Sequence, residues 1–397
     1  MQATAPFGTA SASSRETRRG FGDIDLLLVL AAVGLIACST LTIGTATVTD
    51  VDGSPYYYLT RQAIYGMVGI VLMLLVSRFD YSRLRELSVG IYATMIASIV
   101  LVFLVATATR GSKRWIELPF FTFQPSELGK VLLVLALAAF VVDRARRLGE
   151  RETTSRIVLL ALVPAMLVIA QPDLGTGLVY VVITGAVLFV AGTKWTHFAV
   201  LGALGAAAVA VVLAGAPAVG IEVLKPYQVD RLTAFMSPTD DPQSQGYQLN
   251  QSITAIGAGQ KTGRGPAGAT QTRLDFLPEH HTDFIFSVVG EEFGFLGAAL
   301  VLSLFALLIW RALRILTTAK NLYGALIAGG IVAMLMFQIF VNVGMTIGIM
   351  PITGVPLPLM SYGGSSVIVT FLAVGLLQSI HVQARAAAAS KGRELIA

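Results

Sequence analysis

Ten apolar runs, each long enough to cross a bilayer, dominate this sequence. They cover about residues 26–47, 62–78, 88–108, 126–143, 157–171, 175–192, 197–214, 295–314, 323–347 and 364–383. A hydrocarbon core of about 30 Å takes roughly 20 residues of helix. Inside it every backbone polar group must be satisfied within the protein, so only helices and closed barrels can span. The runs are too long and too continuous for barrel strands, which alternate over about 10 residues. The fifth and sixth are short and are joined by Gln171–Gly175, where Pro172 and Gly175 break what would otherwise read as one helix. Composition agrees. Of 397 residues, 55% are hydrophobic and 13% charged, against roughly 45–50% and 25% in soluble domains. Half the usual charge cannot coat a soluble surface, which excludes a cytosolic enzyme, a disordered chain and a disulfide scaffold. Cys38 is the single cysteine, so no intrachain disulfide can form. The expected fold is an all-α polytopic membrane protein with about ten transmembrane helices.

An even number of spans puts both ends on one side, and the positive-inside rule selects it. With the N-terminus cytoplasmic, 18 of the 28 basic residues fall on inside segments. The 23 acidic residues divide the other way, 9 inside and 14 outside. The expected topology is therefore N-in, C-in, and the net charge of +5 reports topology rather than nucleic-acid binding. Residues 1–22 read as a disordered cytoplasmic tail. They are not a signal peptide, because no small-residue cleavage site follows the first run and nine more runs come after it. Residues 23–385 read as the membrane domain and 386–397 as a cytoplasmic C-terminal tail. One outer loop, about 215–283, is far longer than an ordinary connection, and such loops are usually functional or disordered. Within it Val229, Leu232 and Phe235, and then Leu249, Ile253 and Ile256, have helical spacing and suggest short amphipathic helices.

Ionisable groups at membrane depth are expensive and need a reason. Four clusters stand out, all on the outer side. In the first, Lys113, Arg114 and Trp115 precede Gln124-Pro125-Ser126-Glu127, a helix start with Glu127 and Lys130 sharing a face. In the second, QPDLGTG, Asp173 is either an outer-turn cap of the sixth helix or part of a site. The third, Phe276–Glu292, holds Glu279, His280, His281, Asp283, Glu291 and Glu292. The spacing does not support zinc: the histidines are adjacent, so they cannot share a helix face, and HExxH is absent. Asp283 precedes Phe284-Ile285-Phe286, where water meets lipid. A carboxylate there suits either a general base or a helix N-cap. The fourth, Gly348–Ser366, has three prolines and a Gly-Gly pair that break any helix. Such backbone is tolerated at membrane depth only when buried in protein or lining a cavity. Ser361, Tyr362 and the Gly363 and Gly364 amides offer hydrogen bonds to a polar headgroup. GAGQKTGRG is not a phosphate loop, because the Gly-Lys-Ser/Thr order is missing, no strand precedes it and it lies outside. Asn250-Gln251-Ser252 fits a glycosylation sequon, a pattern with a high chance rate.

Together these residues resemble the SEDS family (shape, elongation, division, sporulation) over about residues 20–385. The likeness rests on KRWI followed by FQPSELGK, on QPDLGTG, on LPEHHTDFIFSVVGEEFG, on GVPLPLMSYGGSS, and on the stretch from KPYQVDRL through GYQLNQS to GRG. The ending GVPLPLMSYGGSS leans towards the RodA branch over the FtsW branch. The resemblance implies a ten-span enzyme of the bacterial plasma membrane that polymerises lipid II into glycan strands during elongation and cell-shape maintenance. It places the catalytic aspartate at Asp283. It places further site residues at Trp115, Glu127, Lys130 and Asp173, with His281, Thr282, Ser361, Tyr362 and Gly363 in the surrounding motifs.

The chemistry fits these residue types. Glycosyl transfer from a lipid diphosphate needs a base on the acceptor hydroxyl and positive charge on the departing diphosphate. Asp283 would take the proton from the acceptor C4 hydroxyl, with inversion in one in-line displacement. Lys113, Arg114, Lys130 and Arg231 are the candidates for the diphosphate. A divalent cation, Mg2+ or Mn2+, held by carboxylates would serve the same end, though no cofactor is firmly implied. The expected partners are lipid II, a class B penicillin-binding transpeptidase and other elongation-complex membrane proteins, and no nucleic acid. Alternatives are a lipid II flippase, an FtsW-like division polymerase and a transpeptidase-recruiting scaffold. A flippase would need polar groups through the full thickness, and a scaffold would not need Asp283.

Overall fold

The computed structural model describes residues 24–51, 53–105, 114–117, 121–215 and 245–394. Eleven longer helices organise them: α1 (Leu26–Ala46), α2 (Tyr57–Arg78), α3 (Ser88–Val105), α4 (Pro125–Asp143), α5 (Arg151–Ala170), α6 (Leu174–Val190), α7 (Trp195–Ala210), α8 (Gln245–Gly259), α9 (Ile285–Thr318), α10 (Leu322–Thr346) and α11 (Gly364–Glu394). Among the described residues, α1–α5, α7 and α9–α11 are long and apolar enough to cross a membrane; α6 is a shorter apolar helix. Each of the ten expected apolar runs forms a helix, nine of them of spanning length. The last helix runs on to Glu394, past residue 385, where a tail was expected. Ala386–Ala389 explain this, since alanine is the strongest helix former. The N-terminal tail, Lys113, Arg231 and the Val229–Leu232–Phe235 set lie outside the described residues.

α4, α10 and α11 form the buried centre, with α2 packed along α11, α6 against α10 and α5, and α1 against α9. α7 lies at the edge; His197 is its one buried residue and accepts from or donates to Thr154 of α5. One end of the bundle is closed by polar joints. Asp25 caps α1 by accepting from the Leu28 amide and takes three hydrogen bonds from Arg311 of α9. Gln378 of α11 pairs both backbone groups of Asp25. Asn321 caps α10 and also accepts from Tyr81. All four polar motifs lie at the other end.

α9 is two helices. Gly294, at φ 62° and ψ −158°, breaks it into 285–293 and 295–318. The break is filled by the Gly-rich stretch after α8: the Phe295 and Leu296 amides donate to the carbonyls of Gln260 and Lys261, and the Arg264 amide donates to Glu291. Only glycine allows this approach. A Cβ on Gly263 (φ 85°) or Gly294 would strike the opposing backbone. Gly263→Ala is therefore expected to destabilise by the left-handed penalty of about 1–2 kcal/mol plus an overpacking cost of about 1–3 kcal/mol. Gly257→Ala, whose Cβ meets open space within helix α8, is the comparison without a clash and is expected to hold or slightly raise the melting temperature. Equal melting temperatures for the two variants would refute the clamp. α8 itself is packed onto α9 rather than lying alone at an interface: Leu249 is buried, Ile256 joins the core, and Ser252 hydrogen-bonds to Ser287 and to the Thr346 carbonyl.

Candidate active site

The fourth motif is the hub that gathers the other three. α10 ends at Thr346, and residues 347–363 run as irregular backbone buried at Val355, Leu357, Leu359 and Met360. On one side Ser365 donates to the Thr122 carbonyl and accepts from the Gln124 amide, which holds the entry to α4. Val355 and the Thr353 carbonyl sit so close to Gly175 that a Cβ there would overlap both, which docks QPDLGTG. On the other side three consecutive carbonyls of the HHTDF turn are tied down. His281 accepts from the Tyr362 amide at 2.9 Å, Thr282 from the Ser361 hydroxyl at 2.6 Å, and Asp283 from the Asn342 side chain at 3.0 Å. Asn342 also donates to the Val355 carbonyl.

Asp283 sits half-buried in this turn, one residue before Phe284, the residue at the N-cap position of α9. Phe284 makes no side-chain cap, and the backbone of Asp283 is held through its carbonyl by Asn342. Thr282 turns its hydroxyl to Glu279 at 2.9 Å. His281 packs on Tyr58 and Tyr362, with ring centroids at 4.7 and 5.8 Å. Burial holds the Tyr362 phenol above its ordinary pKa, so it stays a neutral hydrogen-bonding group. Gly363 opens α11, and a Cβ there would make only ordinary contact, with Ser366.

In the first motif Pro125 stands at the first helical position and Glu127 in the first turn of α4, where a helix favours negative charge. Glu127 and Lys130 pair at 2.7 Å with both side chains almost fully buried. Tyr180 of α6 donates to the Ser126 carbonyl beside them. Asp173 does cap α6, accepting from the Thr176 amide, and it also accepts from Gln124 and faces Arg114 at 3.9 Å. The Arg114 guanidinium lies over Trp115, 5.6 Å from the ring centroid. Two cations, Arg114 and Lys130, thus stand beside buried carboxylates in the same motif cluster.

The remaining titratable groups of the third motif have other duties. Glu291 accepts from the Gln271 and Thr272 amides and the Thr272 hydroxyl, holding the one-turn helix at Thr270–Arg273. Glu292 accepts from Thr45 of α1. His280 and His281 both face Asp50 in the α1–α2 loop. Burial pulls the His280 pKa down, but the Asp50 carboxylate, the Leu277 carbonyl and Asp275 outweigh it and raise it. Reading the sequence for charges missed the neutral groups that build the site. Asn342, Gln62 and Ser39 are fully buried within apolar runs. Gln62 donates to Ser39 and to the Ser361 carbonyl, and Ser39 to the Met360 carbonyl. A lone amide inside a 20-residue apolar run was the available signal.

An all-helical membrane bundle with a buried polar site at one end is the class of protein that this fold defines. A family model for FtsW/RodA/SpoVE cell cycle proteins matches residues 23–386. The chain is 37% identical over 368 residues to the probable peptidoglycan glycosyltransferase FtsW of Thioalkalivibrio sulfidiphilus, covering 90% of this chain and 89% of that one. It is 35% identical over 358 residues to the peptidoglycan glycosyltransferase MrdB of Escherichia coli K12, covering 90% and 93%. A solved structure described as structural coordination of polymerization and crosslinking by a peptidoglycan synthase complex matches with TM-score 0.75 and 32% identity, over 91% of this chain and 98% of that one. The chain belongs to the FtsW/RodA/SpoVE family.

Proposed function

We infer that this chain is a peptidoglycan glycosyltransferase of the plasma membrane, polymerising lipid II in cell-wall elongation. The observation that carries the reading is the HHTDF turn. Three successive carbonyls are pinned by Tyr362, Ser361 and Asn342, so the backbone bearing Asp283 is preorganised from three directions. A general base has to be held to within a hydrogen bond of the proton it removes. Asp283 takes the proton of the acceptor C4 hydroxyl as that oxygen attacks the anomeric carbon. The glycosyl–phosphate bond breaks on the opposite face, and the configuration inverts. Arg114 and Lys130 stabilise the departing diphosphate, each drawn from a pairing with a buried carboxylate. N-in, C-in topology places the motif end outside, where the strands are needed.

The similar identities to relatives named FtsW and MrdB do not separate division from elongation; the GVPLPLMSYGGSS hub favours elongation. The partner is a class B penicillin-binding transpeptidase, in keeping with the similarity to a synthase complex. The test is full-length protein with lipid II, with and without such a partner, and glycan length read on a gel. Polymer is expected, and more of it with the partner. Absence of polymer from folded protein with its partner present, or lipid II crossing the bilayer without polymerisation, would refute the reading.

A further inference from the structure

Asp50, His280 and His281 meet between the α1–α2 loop and the turn before α9. Each offers one ligand atom, and the three atoms lie within 4.8 Å of one another. His280 Nε2 is 3.2 Å from Asp50 Oδ2, and His281 Nδ1 is 3.8 Å from the same oxygen. The tautomer of His280 follows from its other nitrogen. Nδ1 lies 3.2 Å from the Leu277 carbonyl, and a carbonyl only accepts, so Nδ1 carries the hydrogen. Nε2 is then left to face a carboxylate, acceptor against acceptor, unless a second proton or a metal cation sits between them. Nε2 of His280 and Oδ1 of Asp50 are both buried and have no hydrogen-bond partner, and His280 is 5% exposed. Each orphaned buried group costs about 1–3 kcal/mol if nothing fills the gap. A proton on Nε2 would serve Oδ2 alone, at 3.2 Å, and would leave Oδ1 of Asp50 buried without a partner.

We propose that Asp50, His280 and His281 bind a single first-row dication of the Zn2+ or Mn2+ kind, joining the α1–α2 loop to the turn that carries Asp283. Two imidazoles and a carboxylate suit a borderline transition dication, whereas Mg2+ prefers oxygen throughout. A histidine ligand commonly donates its second N–H to a backbone carbonyl, which orients the ring, and Leu277 supplies that carbonyl. Bonds of about 2.0–2.2 Å place neighbouring ligand atoms roughly 3.4 Å apart. The His280–Asp50 separation is already there, and no gap has to close by more than roughly 1.4 Å to reach the same spacing. Adjacent histidines cannot share a helix face, but here they stand in a turn, with rings 76° apart and centroids at 5.2 Å. Three protein ligands leave one position open. Binding does not depend on the glycosyltransferase reading; its influence on Asp283 does.

The test uses full-length protein in detergent, stripped with a chelator and titrated with Co2+ as an optical probe. Expected are one Co2+ per chain, visible d–d absorption, displacement by Zn2+, and none by Mg2+ in hundredfold excess. Asp50→Asn and His280→Gln should each weaken binding at least about tenfold. Pulsed EPR of the Mn2+-loaded wild-type protein is the second measurement, independent of how the variants fold, and it should show imidazole nitrogen coupling. No stoichiometric uptake, no nitrogen coupling, equal displacement by Mg2+, or unchanged affinity in a folded Asp50→Asn variant would each overturn the site. Metal binding with the glycan assay negative would leave the site standing and remove only its link to catalysis.

Discussion

Asp283→Asn is expected to lower glycan polymerisation by at least about 10²-fold, the usual worth of a positioned base, while the protein still inserts and folds. The substitution keeps the side chain's size. It leaves intact the bonds that fix the turn, because Tyr362, Ser361 and Asn342 all engage backbone carbonyls. A loss of activity would therefore report chemistry rather than collapse. Strand synthesis by the asparagine variant at near wild-type rate, with melting unchanged, would remove Asp283 from the mechanism.

The second large effect concerns Glu127 and Lys130. At a surface, such a pair is worth about 0–1 kcal/mol and its loss would pass unnoticed. Here both side chains are nearly inaccessible, at 4% and 2% exposure. Removing one partner of a buried pair leaves an uncompensated charge, at about 3–5 kcal/mol. Lys130→Met and Glu127→Gln are each expected to lower the melting temperature sharply. The double variant should recover most of that stability, since neither charge remains. Activity should stay lost in the double variant, because the cation proposed to meet the diphosphate is gone. A stable double variant with full activity would make the pair purely structural.

How much of this was legible in the sequence depends on which physical signal each part carries. Apolar runs marked ten helices, because lipid exposure enforces hydrophobicity continuously. Their ends were less readable. α2 begins at Tyr57 and α5 at Arg151, several residues before the runs, since first turns reaching water contain Tyr, Arg and Glu. The apolar run at 295–314 starts one residue after the break at Gly294, and the half-helix 285–293, which holds Glu291 and Glu292, falls between that run and the outer loop that ends near 283. Asp173 as a cap and Pro125 at a helix start followed from local rules. The burial of Glu127–Lys130 did not, because i, i+3 spacing is blind to what packs over it. Nor did the approach of Asp50 to two histidines some 230 residues away, for no local pattern records a contact between loops.

The break at Gly294 has a mechanical consequence. The segment 285–293 is bonded as a separate short beam between the break at Gly294 and the Asp283 turn, which Tyr362, Ser361 and Asn342 hold. The outer segment grips the break through the carbonyls of Gln260 and Lys261, and α8 grips the beam at Ser287. Force applied to the outer segment is thereby delivered to the beam, while the span 295–318 stays anchored at its far end by Arg311 and Asp25. A protein that presses on the outer segment would therefore load the turn that carries Asp283, the proposed base, without touching substrate.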